Sequence, residues 1–411
     1  MNTLEINLEN EAFEQSVPHE TFAYLRKESP LHWYDWKQGK GFWCLTRHAD
    51  ITETLKNWRQ YSSELGGANL EDLDEEQLAA RKSMLETDPP RHTRLRGIVS
   101  KWFTPKSVEQ YETLVRALTK VILDEAFQHE EFDFVEEIAA RLPIQVLARI
   151  LGVPNEDTSK LIAWGDSMIG NSDPDLTDVV WGTPESEKYR MYPFRSPAAL
   201  EVFDYGHWMA EKRRQSPEDD LVTKLIHSEI DGERLSEREF DTMFLLLVVA
   251  GNETTRQAIA HGLHAFIENP DQIARLQQDP SLMPSAVEEI LRWASPVLHF
   301  RRTAVTDTEL YGKTIHAGDK VVMWFASANR DEAVFEDPFR FDIARSPNPH
   351  LAFGQGGPHA CLGSYLARLE IKVMFEELLP RLHNLSLNGS PVRMRSNFTN
   401  ALKQMPVRLS K

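Results

Sequence analysis

The chain is poor in cysteine: Cys44 and Cys361 are the only two in 411 residues. Two cysteines cannot build the disulfide framework of a small secreted scaffold. They also lack the paired spacing of a zinc or iron–sulfur site. Long apolar runs are missing as well. The longest covers residues 243–251, far short of the roughly 20 residues that span a bilayer. The N-terminal MNTLEINLENEAFEQ is polar and acidic, without the apolar segment of a signal peptide. Positive charge is in deficit: 63 Asp and Glu against 46 Lys and Arg leave a net charge of −17, which argues against nucleic acid as a partner. There is no Ser/Gly-rich linker, low-complexity tract or internal repeat. What is present, 41% hydrophobic and 27% charged residues, suits a folded protein with a large core. The expectation is a single domain over residues 1–411, a cytoplasmic monomer with no membrane anchor.

Helical periodicity dominates. Apolar residues recur at three- and four-residue steps over 107–127, 135–151, 198–212, 237–267 and 362–379. Strand signals are fewer: 42–46 (FWCLT), and hairpin segments over 308–324 around Gly312 and Gly318. The predicted fold class is mainly α with a small β-rich region. Residues 331–350 carry several prolines and no clear period, and a loop of that length is often functional. Residues 171–197 form a second irregular segment, either a lid over a pocket or a solvated loop.

Cys361 lies in FGQGGPHACLG, residues 353–363, where Gly and Pro supply five of eleven positions. A lone cysteine is most simply a small buried hydrophobe; the surroundings point elsewhere. A cysteine thiolate holding a haem iron needs backbone N–H groups at its sulfur. It needs glycines where the chain approaches a flat macrocycle, a donor for the propionates, and a helix whose amino end faces the sulfur. Gly356, Gly357 and Gly363 provide the approach, His359 a donor, and the helical pattern from Leu362 the dipole. The stretch resembles the cysteine loop of the bacterial cytochrome P450 family, haem-thiolate monooxygenases. The commonest form is F-x-x-G-x-x-x-C-x-G, and here Phe353 stands one residue further from Cys361. Steroid and methyl-branched-lipid hydroxylases of bacteria share that longer loop, which leaves open where the Phe ring lies.

Ala250-Gly-Asn-Glu-Thr-Thr255 sits inside the longest helical pattern. Glycine in a helix interior costs about 1 kcal/mol relative to alanine. Ala250 and Gly251 would let the helix pass close over a flat cofactor, or open its ladder locally as in a π-bulge. Glu253 and Thr254 then offer a carboxyl and a hydroxyl to deliver protons during oxygen activation. The segment matches the family's A-G-x-[DE]-T. Without that context Glu253 would be a solvated charge and Thr254 a packed β-branched residue. Leu246, Val249, Ala250, Glu253 and Thr254 are spaced for one helix face.

Glu289 and Arg292 are three apart on a helix among apolar neighbours. The resemblance implies a structural triad completed by Arg340, pinning the cysteine loop. It implies that His92 and Arg96, four apart in HTRLR, meet haem propionates together with Arg302 and His359, since Arg pairs with carboxylates through its planar fork. Arg301 is the lesser candidate. Pocket positions carried over from the family are Leu246, Val249, Ala250, Val297 and Leu298; the side chains of residues 65–84 cannot be placed.

The resemblance implies haem b ligated by Cys361, dioxygen as co-substrate and hydroxylation of a hydrophobic small molecule: a steroid, branched lipid or terpenoid. No flavin or iron–sulfur segment is visible, so electrons would come from a ferredoxin and its flavin-dependent reductase. An acidic ferredoxin would call for a local basic patch, with Arg91, Arg94, Lys101 and Arg368 as candidates. Two rivals stand beside this reading: a peroxide-driven peroxygenase, which usually lacks the acid–alcohol pair, and a non-catalytic haem-binding sensor, which needs no proton relay.

Overall fold

The structure is a computed structural model that describes residues 5–230 and 232–410. Eight helices frame it: α1 (Arg91–Val99), α2 (Glu112–Ala126), α3 (Arg141–Leu151), α4 (Thr158–Ile169), α5 (Pro197–Gln215), α6 (Glu237–Glu268), α7 (Met283–Ala294) and α8 (Ser364–Leu378). The main sheet uses β1 (Leu31–Tyr34), β2 (Phe42–Leu45), β3 (Tyr61–Ser62), β4 (His299–Ala304) and β5 (Lys320–Trp324), in the order β1-β2-β5-β4-β3. β5 runs parallel to β2 and antiparallel to β4, with Val321 opposite Arg302 and Met323 opposite Phe300. Among the described residues no helix is long and apolar enough to cross a membrane.

The apolar periods become packed faces. α6 is the central strut, and its buried Val248, Ile259 and Leu263 share one core with Leu147 of α3, Ile290 of α7 and Phe375 of α8. Its start is set by a capping box: the Ser236 side chain accepts from the Glu239 amide, and Glu239 Oε2 accepts from the Ser236 amide at 3.0 Å. A second cluster, with Phe13, Phe22 and Trp324, lies against the sheet.

Three expected elements differ in detail. The helix expected over 107–127 is broken at Gln110 and Tyr111 between a short helix, Pro105–Glu109, and α2. The pattern from 135 begins as a π-helical turn, Val135–Ala139, before α3. Residues 308–324 form a hairpin only as far as Ile315; β5 leaves it to join the main sheet.

Residues 331–350 contain no regular helix or strand, and a buried ion pair gives them shape. Arg292 and Glu289 are both fully buried and paired at 2.8 Å. Arg292 Nη1 donates to the carbonyls of Asn329 and Pro338, each at 2.8 Å. Glu289 accepts from the Asp342 amide at 2.9 Å and from Asn348 Nδ2 at 3.1 Å. The third charged arm is Arg345, whose Nε lies 3.2 Å from Glu289. This corrects the expectation of Arg340, whose side chain is exposed and which contributes only its carbonyl, to Arg292 at 3.2 Å. The loop turns so that Arg345 reaches back beneath it, donating also to the carbonyls of Glu336 and Asp337.

One buried charge-bearing group has no such partner. Glu370 on α8 is 2% exposed with Oε2 unbonded, and burial pushes its carboxyl from 4.5 up to about 8.

Two outcomes are expected. Glu289→Ala leaves Arg292 buried and uncompensated and should cost about 3–5 kcal/mol, whereas Arg340→Ala should stay within about 0.5 kcal/mol; Arg345→Ala should fall between, all read from denaturant midpoints. For Glu370, the raised pKa means stability is fully present below pH 4.5 and lost as pH climbs to about 8. Glu370→Gln should remove that decline, so its gain over wild type should grow across this window in a series of thermal melts; a constant difference would contradict it.

Candidate functional site

The loop carrying Cys361 closes on itself. The Cys361 amide donates to the Phe353 carbonyl at 2.9 Å and the Gly354 amide to Leu351 at 2.9 Å. Gly354 and Gly356 adopt left-handed backbone, φ +58° and +105°, which glycine tolerates without strain. Gly357 is demanded by contact: a Cβ there would lie 1.9 Å from the Leu55 carbonyl oxygen. α8 starts directly after, with Gly363 as its N-cap residue and the Gly363 amide donating to the Cys361 sulfur. Burial pushes the thiol up; that amide and the charges of Arg96 and Arg368 oppose it. The Phe353 ring lies under the Arg368 guanidinium, 4.5 Å from its centroid, and beside His350.

A wall of nitrogen donors faces the cysteine. His92 and Arg96 come from one face of α1, Arg302 from β4 and His359 from the loop, and all four border the same cavity as Cys361. The rings of His92 and His359 are 4.2 Å apart. Burial, then the charge of Arg96, brings His92 down to about 4. Burial, then Arg302, brings His359 down to about 2. Arg302 falls to about 10 through burial. His92 Nδ1 and His359 Nε2 are buried without a hydrogen-bond partner, and among the described residues no carboxylate pairs with Arg96 or Arg302. Strand alternation sends Arg301 the other way, to the Glu71 carbonyl at 2.8 Å.

α6 makes the opposite wall. Leu246, Val249, Ala250, Glu253 and Thr254 border the cavity, as does Val297. Leu298 does not: it is fully buried in the sheet cluster with Phe22 and Trp324, one residue being enough to reverse its direction. α6 also runs without a π-bulge. Gly251 touches the cavity, yet a Cβ there would point at Leu147 Cδ1, 3.1 Å away; its missing side chain serves the close approach of α3. Glu253 is 1% exposed and turned into a network. Oε1 accepts from Gln257 at 2.6 Å, Oε2 from Arg256 at 3.2 Å, and Arg256 also donates to Asp166 on α4 at 2.6 Å. Burial raises the Glu253 carboxyl and Arg256 opposes it. Thr254 Oγ1 donates to the Ala250 carbonyl at 3.0 Å.

The cavity encloses about 420 Å³, and its far side comes from the segments the sequence left unplaced. Ala68, Leu70 and Met84 from residues 65–84, Phe194 from residues 171–197 and Phe398 near the C-terminus line it. Trp181 of the second segment stacks on Trp36 with centroids 5.6 Å apart. That segment is a cover, not a solvated loop. Phe398 shows in the sequence only as an isolated aromatic within a polar stretch, and Phe194 only as one of several aromatics in an irregular, proline-bearing segment. Of the expected basic patch, Arg94 and Lys101 are exposed. Arg91 is paired with Glu239, and Arg368 is clamped by Glu288 at 2.6 and 2.9 Å.

Comparison with known proteins agrees with this geometry. The family model Cytochrome P450 matches residues 4–408. A steroid C26-monooxygenase of Mycolicibacterium smegmatis is 40% identical over 405 residues, covering 96% of this chain and 91% of the relative. A methyl-branched lipid omega-hydroxylase of Mycobacterium bovis is 40% identical over 406 residues, covering 96% and 92%. A cytochrome P450 of Mycobacterium marinum, solved in complex with pseudoionone, superposes with a TM-score of 0.89 at 38% identity over 100% of both chains. The chain belongs to the cytochrome P450 family, monooxygenases that hold haem iron through a cysteine thiolate.

Proposed function

We propose that this monooxygenase hydroxylates an unactivated C–H bond of a steroid or methyl-branched lipid, in the cytoplasm, with electrons from a ferredoxin and its flavin-dependent reductase. The observation that carries the reading is one cavity bordered at once by the Cys361 sulfur, by four nitrogen donors whose arginines form no ion pair among the described residues, and by an apolar wall ending in Glu253 and Thr254.

The residues fit haem. His92, Arg96, Arg302 and His359 supply donors for its propionates, with two orphaned ring nitrogens among them. Cys361 would ligate the iron: it is exposed to the cavity, and a cation at its sulfur favours the thiolate. A Cβ at Gly363 would meet no protein atom within 4 Å, so that side of the cavity is open to a flat group. When bound, thiolate-ligated haem supplies the chemistry that places one atom of dioxygen into a C–H bond and releases the other as water.

The chain's own contribution is positioning and protons. Leu246, Val249, Ala250 and Val297, with Phe194 and Phe398 opposite, hold an apolar body and exclude water from it. Glu253 can keep a proton in the interior because burial raises its carboxyl. Its link through Arg256 leads to Asp166, whose side chain is 23% exposed, and so toward solvent. Thr254 has its own proton engaged by the Ala250 carbonyl, leaving its lone pairs to accept a hydrogen bond from the cavity. The relatives' names support the substrate class, and the apolar lining is consistent with it.

Steroids, methyl-branched lipids and terpenoids should be screened for a low- to high-spin shift of the haem absorbance. Steroids or branched lipids should give it and terpenoids a weaker one; a response to terpenoids alone would sink the substrate assignment. In the same assay Cys361→Ala should lose the thiolate-type spectrum of the reduced carbon monoxide complex. Thr254→Ala, reconstituted with ferredoxin and reductase, should bind substrate as wild type does while about 10²-fold or more of its product formation is lost and electrons appear as peroxide. Unchanged coupling would remove Thr254 from proton delivery, and equal turnover with peroxide alone would favour a peroxygenase.

A further inference from the structure

Two segments that the sequence left unplaced meet over the cavity, and one carboxylate joins them. Glu71 lies in residues 65–84, a stretch the sheet holds from behind. Arg301 of β4 donates to the Glu71 carbonyl at 2.8 Å. Lys320 of β5 donates to the Leu70 carbonyl at 3.0 Å and pairs with Asp72 Oδ1 at 2.8 Å. The Glu71 side chain meets the cover instead. Its Oε2 pairs with Arg81 Nη1 at 2.6 Å and its Oε1 with Arg195 Nε. Arg81 donates in turn to the Arg190 carbonyl of the cover. The Arg195 and Glu71 side chains are only 12% and 15% exposed, so water and salt screen this pair far less than an ordinary surface pair. Burial opposes the Arg195 charge, and Glu71 and then Glu187 outweigh it, which holds the guanidinium above its usual range.

Backbone conformation supports the same conclusion. Phe194, which lines the cavity, immediately precedes Arg195. Both residues have left-handed backbone, φ +60° and +49°. Residues with a Cβ avoid that region and keep it only where their surroundings impose it. Asn171 Nδ2 donates to the Phe194 carbonyl at 2.9 Å, and the Arg195 side chain is tied to Glu71 and to Glu187. Glu187 belongs to the cover and its side chain is exposed, so that pair can travel with the cover. Glu71 is fastened to the sheet and cannot. We propose that Glu71 is a positioning residue that, through Arg195, clasps the cover shut and sets Phe194 against the apolar body of the substrate. Whichever lipid enters, this role rests on the cavity being the substrate site of the proposed monooxygenase.

The test titrates haem-loaded wild type and variants with two iron-ligating imidazoles, read from the shift of the haem absorbance. Imidazole itself is too small to reach the cover; clotrimazole carries a bulky apolar body on its imidazole. Glu71→Gln should weaken clotrimazole by about fivefold or more and leave imidazole within about twofold. Glu187→Gln, which cuts only the exposed pair, should leave both unchanged. In a Phe194→Ala background, adding Glu71→Gln should cost clotrimazole less than about twofold, because the side chain being positioned is gone. Arg195→Gln leaves Glu71 paired with Arg81 and should reproduce the loss even where Glu71→Gln fails to take up haem. Clotrimazole binding unchanged in both Glu71→Gln and Arg195→Gln would overturn the clasp. An equal loss for imidazole would do the same, marking general damage to the fold, and an undiminished loss in the Phe194→Ala background would separate Glu71 from Phe194. The expected azole pattern without any response to steroids or branched lipids would leave the clasp standing and remove only the substrate class.

Discussion

The bond from the Cys361 amide to the Phe353 carbonyl is the constraint on which the site depends. It closes a loop that could otherwise not bring a sulfur, an amide and a helix amino end to one point. The closure requires Gly357 to lie against the Leu55 backbone, so the loop is fastened to the sheet side as well as to α8. The loop before it is fastened by Arg292 and Glu289, a buried pair whose remaining hydrogen-bonding capacity goes to backbone, to Asn348 and to Arg345. A buried ion pair offers little net stability over an apolar pair. Here it gives direction, because a guanidinium with fixed donors can hold several carbonyls in one arrangement.

Around that point the protein gathers groups that are costly alone. Two histidines and two arginines border one buried cavity, and among the described residues neither arginine forms an ion pair there; burial depresses all four. A cluster of this kind is stable only in a fold that compensates for it elsewhere, and it becomes favourable when a dianionic ligand enters. Glu253 shows the opposite arrangement: Arg256 and Gln257 satisfy it within the interior, and Arg256 is shared with Asp166. One part of the site is prepared for a ligand and the other is complete without it.

The motifs were legible because their requirements are local. A glycine-rich loop ending at a cysteine, a small pair inside a long helical pattern and an i, i+4 His–Arg pair can each be read from a few residues. Side-chain direction was less legible. Leu298 and Arg340 were assigned by position in a motif, and each faces away from the partner expected. On an irregular loop no period says which of Arg340 and Arg345 turns inward. At the edge of a strand one residue decides which core receives a leucine. Glu370 gave no signal, since a glutamate at helical spacing reads as solvent-facing until the neighbouring helices bury it.

The chain by itself determined the chemistry: which cysteine stands among glycines, which carboxyl precedes which hydroxyl, and that helices would dominate. These follow from residue type and spacing, properties of a few adjacent positions. Tertiary structure decided what shares the cavity, namely the far wall from residues 65–84 and 171–197, the meeting of His92 with His359, and the turning of Glu253 toward α4. Those depend on segments far apart in the chain. Their contacts arise only when packing removes apolar surface from water and so chooses a direction for every helix and strand at once.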